Sequence, residues 1–457
     1  MNNLNVLLVT YVFPPAGGTG VMRATSLARY FPAEQIRLDV LTARNASSVG
    51  SDPTLLKDIP DQVTVHRTIA LDLPFGFKKR IKRLITGGKP SKDRAAASSA
   101  SADNPSFLKK LIGGILQPDP QVTWLPVAIR AARRIVRDRK IDLVLITVPP
   151  FSSALLVEKL RRDFPELPIV VDFRDEWLST GIDLVGFGRS PRAFRIARKA
   201  EARAINDATA IVAVTEGARR EIRARHPELP DSKFQLISNG YDSTRLLRST
   251  LSPISPHNDK IIVTYVGTIY SATEPGTLIQ AIQSLPPEIR SKFKLRFIGH
   301  IQETHFREDL LQLGDMVELL GYLPQHEALA AMNQTDYVLL LNHDHLNVGG
   351  KFYDYIGSGK PILGALHPDG DTCRLFAEMR AGWWAPIHDV EGIRRLFIDA
   401  AARGNSLAAE FQPDREKIAQ YDRKVLAQRY ARLLHSIAAG GHEVATTKPA
   451  ETTQKSC

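Results

Sequence analysis

Cysteine is nearly absent: 457 residues carry two, Cys373 and Cys457, far apart and without metal-ligand spacing. That excludes a disulfide framework and a zinc site, and the expected setting is reducing and cytoplasmic. No apolar run approaches the ~20 residues of a membrane span. The run Val6 to Phe13 has no basic region before it and ends in Pro14-Pro15, so neither a signal peptide nor a transmembrane helix is expected. Aromatic residues are scarce at 7%, and no nucleic-acid-binding motif occurs. Nucleic acid is therefore not an expected partner, although the formal charge of +11 would suit one. The same charge suits anionic lipid or a phosphorylated substrate.

What is present is a chain too long for one ordinary domain, 43% apolar, with strands and helices alternating along most of it. The stretch Val348-Gly349-Gly350-Lys351-Phe352-Tyr353-Asp354-Tyr355-Ile356-Gly357-Ser358-Gly359-Lys360-Pro361 is the candidate for the chemistry. Before it, Tyr337 to Leu341 is an apolar run fit for a buried parallel strand. After the glycine pair, Lys351 begins a short amphipathic helix that Gly359 and Pro361 terminate. A diphosphate could sit against the free N–H groups of such a helix, with Lys351 as countercharge. Asp354 is a candidate for ribose hydroxyls. A Lys351-Asp354 pair on a solvated helix face is the other reading, and the residues alone leave both open.

Near the N-terminus the strand Asn5 to Thr10 runs into Pro14-Pro15-Ala16-Gly17-Gly18-Thr19-Gly20 and a helix to Tyr30. Arg23 stands where a dinucleotide fingerprint needs its third glycine, and no Gly-Lys-Ser/Thr follows, so an NAD or ATP site is disfavoured. Asp39, about 20 residues on, keeps the dinucleotide reading as a minor one. The strand Ile169 to Phe173 ends in Arg174-Asp175-Glu176, charged groups at a strand's carboxyl end, where α/β sheets hold ligands. Asn239-Gly240 is expected as a turn with φ above zero. Thr215 is the expected cap of a helix Glu216 to Arg225. Between Phe75 and Leu116, cations are interleaved with Phe, Leu and Ile around a Gly/Ser/Ala/Pro-rich stretch, a mixture that suits an anionic membrane surface, with a solvated flap as the other reading.

Read with Asn333 to Asp336, the stretch around Lys351 resembles the nucleotide-sugar site of retaining GT-B glycosyltransferases of the group-1, cell-wall-biosynthesis family. Gly18 and Gly20, Asn239 to Asp242, and Asp172 to Asp175 with the Pro149-Pro150-Phe151-Ser152 loop resemble other parts of the same family. The resemblance implies an α/β fold of two Rossmann-like domains facing across a cleft (GT-B), with a C-terminal helix crossing back to the N-terminal domain. The domains would be residues 1–245, with a basic insertion about 74–116; a linker 246–258; 259–412; a cross-over helix from 413 to 440; and a tail 441–457.

In that family a Glu, seven spacers and a second Glu hold the donor; here these positions fall on Leu346 and Asp354. Relatives commonly place an Arg and a Lys after the first strand of the second domain, where this chain has Thr268-Ile269-Tyr270-Ser271. Lys351 would then carry the phosphate charge. Donor contacts would come from Gly18, Gly20, Gly321, Tyr322, Val348, Gly349, Gly350, Lys351 and Asp354. Asp175 would polarise the acceptor hydroxyl, and Arg174 would orient substrate; a structural Arg-carboxylate pair is the other reading.

The implied activity is transfer of a sugar from a nucleotide-diphosphate sugar, with retention and without metal or other cofactor. The acceptor would be lipid-linked or an envelope polysaccharide, at the inner face of the cell membrane. The alternatives are a sugar-nucleotide epimerase or hydrolase, or a degenerate sugar-nucleotide-binding protein.

Overall fold

The structure is a computed structural model that describes residues 3–46, 51–70, 117–179, 191–249, 260–270, 273, 275–403 and 410–440. The basic insertion, the linker 250–259 and the tail 441–457 lie outside the described residues. The described chain falls into two compact units. The first takes residues up to Val212, His226–Gln235 and those from Leu434 on; the second takes Ala213–Arg225 and Leu236–Leu433.

The first unit is built on strands β1 (Leu4–Val9), β2 (Ile36–Ala43), β3 (Thr64–Thr68), β4 (Leu143–Val148), β5 (Ile169–Phe173), β6 (Ala210–Ala213) and β7 (Phe234–Leu236), in the sheet order β3-β2-β1-β4-β5-β6-β7. Its central strands pair in parallel. They are buried along their length, which is why they read as continuous apolar runs rather than alternating ones. Helices α1 (Thr19–Tyr30), α2 (Leu125–Asp138), α3 (Leu155–Asp163) and α4 (Pro191–Asp207) belong to this unit.

The second unit has strands β8 (Ile261–Val266), β9 (Phe293–Ile298), β10 (Val317–Gly321), β11 (Tyr337–Asn342), β12 (Ile362–Leu366) and β13 (Gly382–Pro386), in the order β10-β9-β8-β11-β12-β13 and all parallel. Helix α5 (Glu216–Ala224) belongs to this unit. Thr215 caps it, its hydroxyl accepting from the Ala218 N–H at 3.1 Å, while the Asp371 carboxylate accepts from the Gly217 N–H at 2.6 Å. The helix after β11, α6 (Gly350–Ser358), ends at Gly359 with φ of 70°, a left-handed cap that glycine adopts without a Cβ penalty. Each sheet thus reverses strand order once, at β1/β4 in one unit and at β8/β11 in the other. These are the positions where open α/β sheets leave a crevice.

Two expectations are corrected here. The helix expected from 413 to 440 is interrupted: a short helix, Arg415–Ala419, precedes α7 (Arg423–Ala438). The break lies where the chain meets Tyr241, whose N–H donates to the Tyr421 carbonyl at 3.1 Å and whose carbonyl accepts from the Arg423 N–H at 2.8 Å. Gly240 is likewise absent from the positive-φ residues. It is glycine because a Cβ there would fall 2.1 Å from the Tyr421 carbonyl oxygen. From Leu434 on, α7 joins the first unit, where His435 Nε2 lies 2.9 Å from the Glu34 carbonyl oxygen.

Candidate functional site

In the first unit the reversal point is closed by Arg174. Its guanidinium donates to the carbonyls of Gly20 and Pro149, tying the loop after β1 to the loop after β4. Its Nε lies 3.4 Å from the Val148 carbonyl, and its N–H donates there at 2.9 Å. Gly18, with φ of 90°, opens α1, and Gly20 lies against the Arg174 guanidinium. The carbonyls Arg174 holds are its own protein's, so its local task is to set the glycine loop. Asp175, half-buried, follows it in the chain.

No local signal marks the neighbouring pair. Arg23, in the place of the missing third glycine, meets Asp172 through two hydrogen bonds of 2.8 and 2.9 Å, with the side chains 9% and 0% exposed. Arg23 therefore anchors α1 to β5. Asp39 does not serve a ribose. It lies in the middle of β2, and its carboxylate meets His66 at 2.7 Å and Arg139 at 3.1 Å. Burial pushes this carboxyl up, but the His66 hydrogen bond and the Arg139 charge outweigh it and leave the pKa below the ordinary value. That removes the dinucleotide reading.

In the second unit the reversal point is reached by Lys351. The loop before it is tied by side chains: Asp344 accepts from the N–H groups of Leu346 and Asn347 at 2.8 and 2.9 Å, and Asn342 donates to the Asn347 carbonyl at 3.1 Å. Leu346 is buried, and its carbonyl accepts from the Thr215 hydroxyl at 2.7 Å. Its side chain is a packing group at the position where the resemblance puts a Glu. Among the described residues, the N–H groups of Val348, Gly349, Gly350 and Lys351 have no protein acceptor. They form the open N-terminal end of α6, where positive partial charge accumulates.

Tyr355, one turn beyond Lys351, fastens α6 to the carboxyl end of β8: its hydroxyl accepts from the Val266 N–H at 2.8 Å. Lys351 shares that face, so its ammonium arrives at the same strand end and donates to the Tyr265 hydroxyl at 2.7 Å. No carboxylate of the described residues pairs with it. Burial without a countercharge pushes its pKa down to about 7. A Cβ on Gly267, φ 140°, would lie 3.7 Å from this ammonium. Asp354 forms no ion pair with Lys351. Burial pushes its carboxyl up to about 6 against the opposing influence of Arg423 and Arg245. Two further expected residues stand at the carboxyl end of β10. Gly321, φ 69°, accepts from the Gly299 N–H at 2.7 Å, and Tyr322, 54% exposed, stacks on His300 with ring centroids 5.5 Å apart.

Residues 111–240 match the family described as Glycosyl transferase 4-like domain. The chain is 23% identical over 219 residues to the putative colanic acid biosynthesis glycosyltransferase WcaL of Salmonella typhimurium and of Escherichia coli. That match takes in 46% of this chain and 52% of WcaL, so the chain spans about half the length of the curated relatives it matches. Among solved structures it is similar to Anabaena HepE in complex with UDP and glucose, at 15% identity and a TM-score of 0.59, covering 95% of this chain and all of that one. It is also similar to a putative UDP-N-acetylglucosamine 2-epimerase from Listeria monocytogenes, at 13% identity and a TM-score of 0.54, covering 96% and 97%. The fold is that of GT-B proteins: two parallel-stranded Rossmann-like sheets of seven and six strands.

Proposed function

We propose that the protein is a glycosyltransferase that takes its sugar from a nucleotide-diphosphate sugar, with the diphosphate held in the second unit. The observation that carries this reading is Lys351: a half-buried ammonium without an anionic partner among the described residues, at a strand-order reversal and beside a row of N–H groups that meet no described acceptor. Such a group is poised for an anion from outside the chain. When the sugar-phosphate bond breaks, charge accumulates on the leaving diphosphate, and a fixed cation with aligned N–H dipoles stabilises it. Asp354 serves the ribose and the Gly321-Tyr322 edge the base. Asp175 polarises the acceptor hydroxyl. The reaction proceeds with retention and needs no metal.

The finer reading is a lipid-linked or envelope-polysaccharide acceptor, at the inner face of the cytoplasmic membrane. It is supported by the likeness to WcaL, named for colanic acid biosynthesis, and by the basic, apolar composition of residues 75–116. No helix among the described residues is long and apolar enough to cross a membrane.

Thermal-shift and calorimetric titration with UDP, GDP and ADP against their nucleosides test the donor assignment. A ligand at a hundred times its Kd stabilises by about 2.7 kcal/mol. Lys351→Ala should weaken the tightest diphosphate about tenfold to a hundredfold, the worth of a charge-assisted hydrogen bond, and the nucleoside hardly at all. Equal losses for both ligands would remove Lys351 from the phosphate.

A further inference from the structure

Among the described residues the Lys351 ammonium touches one polar side chain, and that contact is specific in both directions. Tyr265, on β8 and 1% exposed, accepts from Lys351 at 2.7 Å and donates to the Thr268 carbonyl at 3.0 Å. A phenol has one proton, so donation to Thr268 leaves its lone pairs facing the ammonium. The ammonium lies 4.2 Å from the Tyr265 ring centroid but 2.7 Å from its oxygen. It is therefore displaced toward the hydroxyl end, and the hydrogen bond rather than the ring face sets its place.

We propose that Tyr265 is a positioning residue for the donor diphosphate: its hydroxyl holds the Lys351 ammonium at the β8/β11 reversal, so that one lysine neutralises phosphate beside a loop that offers no cation. The inference rests on the reading of Lys351 as the phosphate group. Its physical content is preorganisation. A lysine has four side-chain torsions, and an ammonium already fixed at the strand end loses less freedom when the anion arrives. Tyr265 stays neutral while doing this, because burial and the neighbouring Tyr355 and Tyr270 raise its pKa. A tyrosinate there would pair with the lysine and cancel the charge the phosphate needs. Among the described residues the titratable groups around the contact are these tyrosines, with no acid and no second cation.

The test is a double-mutant cycle read by calorimetry with UDP, GDP or ADP, whichever binds tightest, and its nucleoside. Tyr265→Phe should lower diphosphate affinity about tenfold, change nucleoside affinity less than twofold, and add no further loss in the Lys351→Ala background. Equal loss from Tyr265→Phe in both backgrounds would show that the tyrosine merely supports the fold of the pocket. Loss from Lys351→Ala without loss from Tyr265→Phe would overturn the positioning role and leave the donor reading standing. No loss from Lys351→Ala would sink both. A second readout needs only the wild-type protein. The free ammonium titrates near pH 7, so diphosphate affinity should fall as pH rises from 7 to 9, with proton uptake on binding. Affinity independent of pH across that range would count against Lys351 as the phosphate group, and the positioning role, which rests on it, would fall with it even if Tyr265→Phe failed to fold. In a folded Tyr265→Phe protein the fall should begin at lower pH, because the charged form has lost its acceptor.

Discussion

The two sheets reverse strand order at β1/β4 and at β8/β11, and each reversal is met by a glycine loop, a helix start and one cation. The cations end differently. Arg174 donates to backbone carbonyls of its own unit, and the nearby Arg23 to Asp172, so these two cations tie the first unit's own segments together. Lys351 rests on a neutral phenol and meets no countercharge among the described residues. A fork-shaped guanidinium with five donors suits the first task, and a compact ammonium whose pKa yields to burial suits the second. The comparison teaches that a cation near a glycine loop is informative only once its partners are known.

The largest expected effect breaks the first unit's side of this comparison. Arg23→Ala leaves the Asp172 carboxylate buried and unpaired, which costs about 3 to 5 kcal/mol. Melting curves should show that loss, while UDP, GDP and ADP affinities of the folded fraction stay at the wild-type level. A variant as stable as the wild type would mean that the pair holds nothing together.

The next effect separates Arg174 from Asp175. Asp175→Asn should lower turnover about a hundredfold with donor affinity nearly unchanged, the usual consequence of losing a general base. Arg174→Ala should instead lower the melting temperature, since it frees the loops after β1 and β4 from each other. Full turnover in a folded Asp175→Asn protein would remove Asp175 from the chemistry.

What the sequence showed and what it hid divide by distance along the chain. The Thr215 cap, the α6 start at the glycine pair and its stop at Gly359 are set by residues within four positions, so they could be read directly. Arg23 and Asp172 are 149 residues apart, and Tyr241 pairs with a segment 180 residues later. Nothing local marks them. Asp39 misled because its spacing from the glycine loop fits a ribose carboxylate, whereas its depth within β2 does not. Tyr265 could not be found from the Lys351 stretch, since their contact spans 86 positions.

The smallest expected effect concerns Asp354, the second charged group of α6, and it sharpens the contrast with Lys351. Burial raises this carboxyl from 3.8 to about 6. Between those values the folded protein holds a proton that the unfolded chain has released, so stability falls as pH rises from about 4 to about 6 and is level beyond. Asp354→Asn removes the penalty of the buried charge. The variant should melt about 1 to 3 °C higher than the wild type at pH 7.5 and at the same temperature at pH 4. If the carboxylate serves ribose hydroxyls, the same substitution should weaken a ribonucleoside diphosphate more than its 2′-deoxy analogue. Melting curves at the two pH values, with both ligands, distinguish the outcomes. Greater stability with equal affinities would make Asp354 a strained helix residue without a ligand. Greater stability with a selective loss of ribonucleotide would show a buried carboxylate kept at a cost to the fold because the donor needs it.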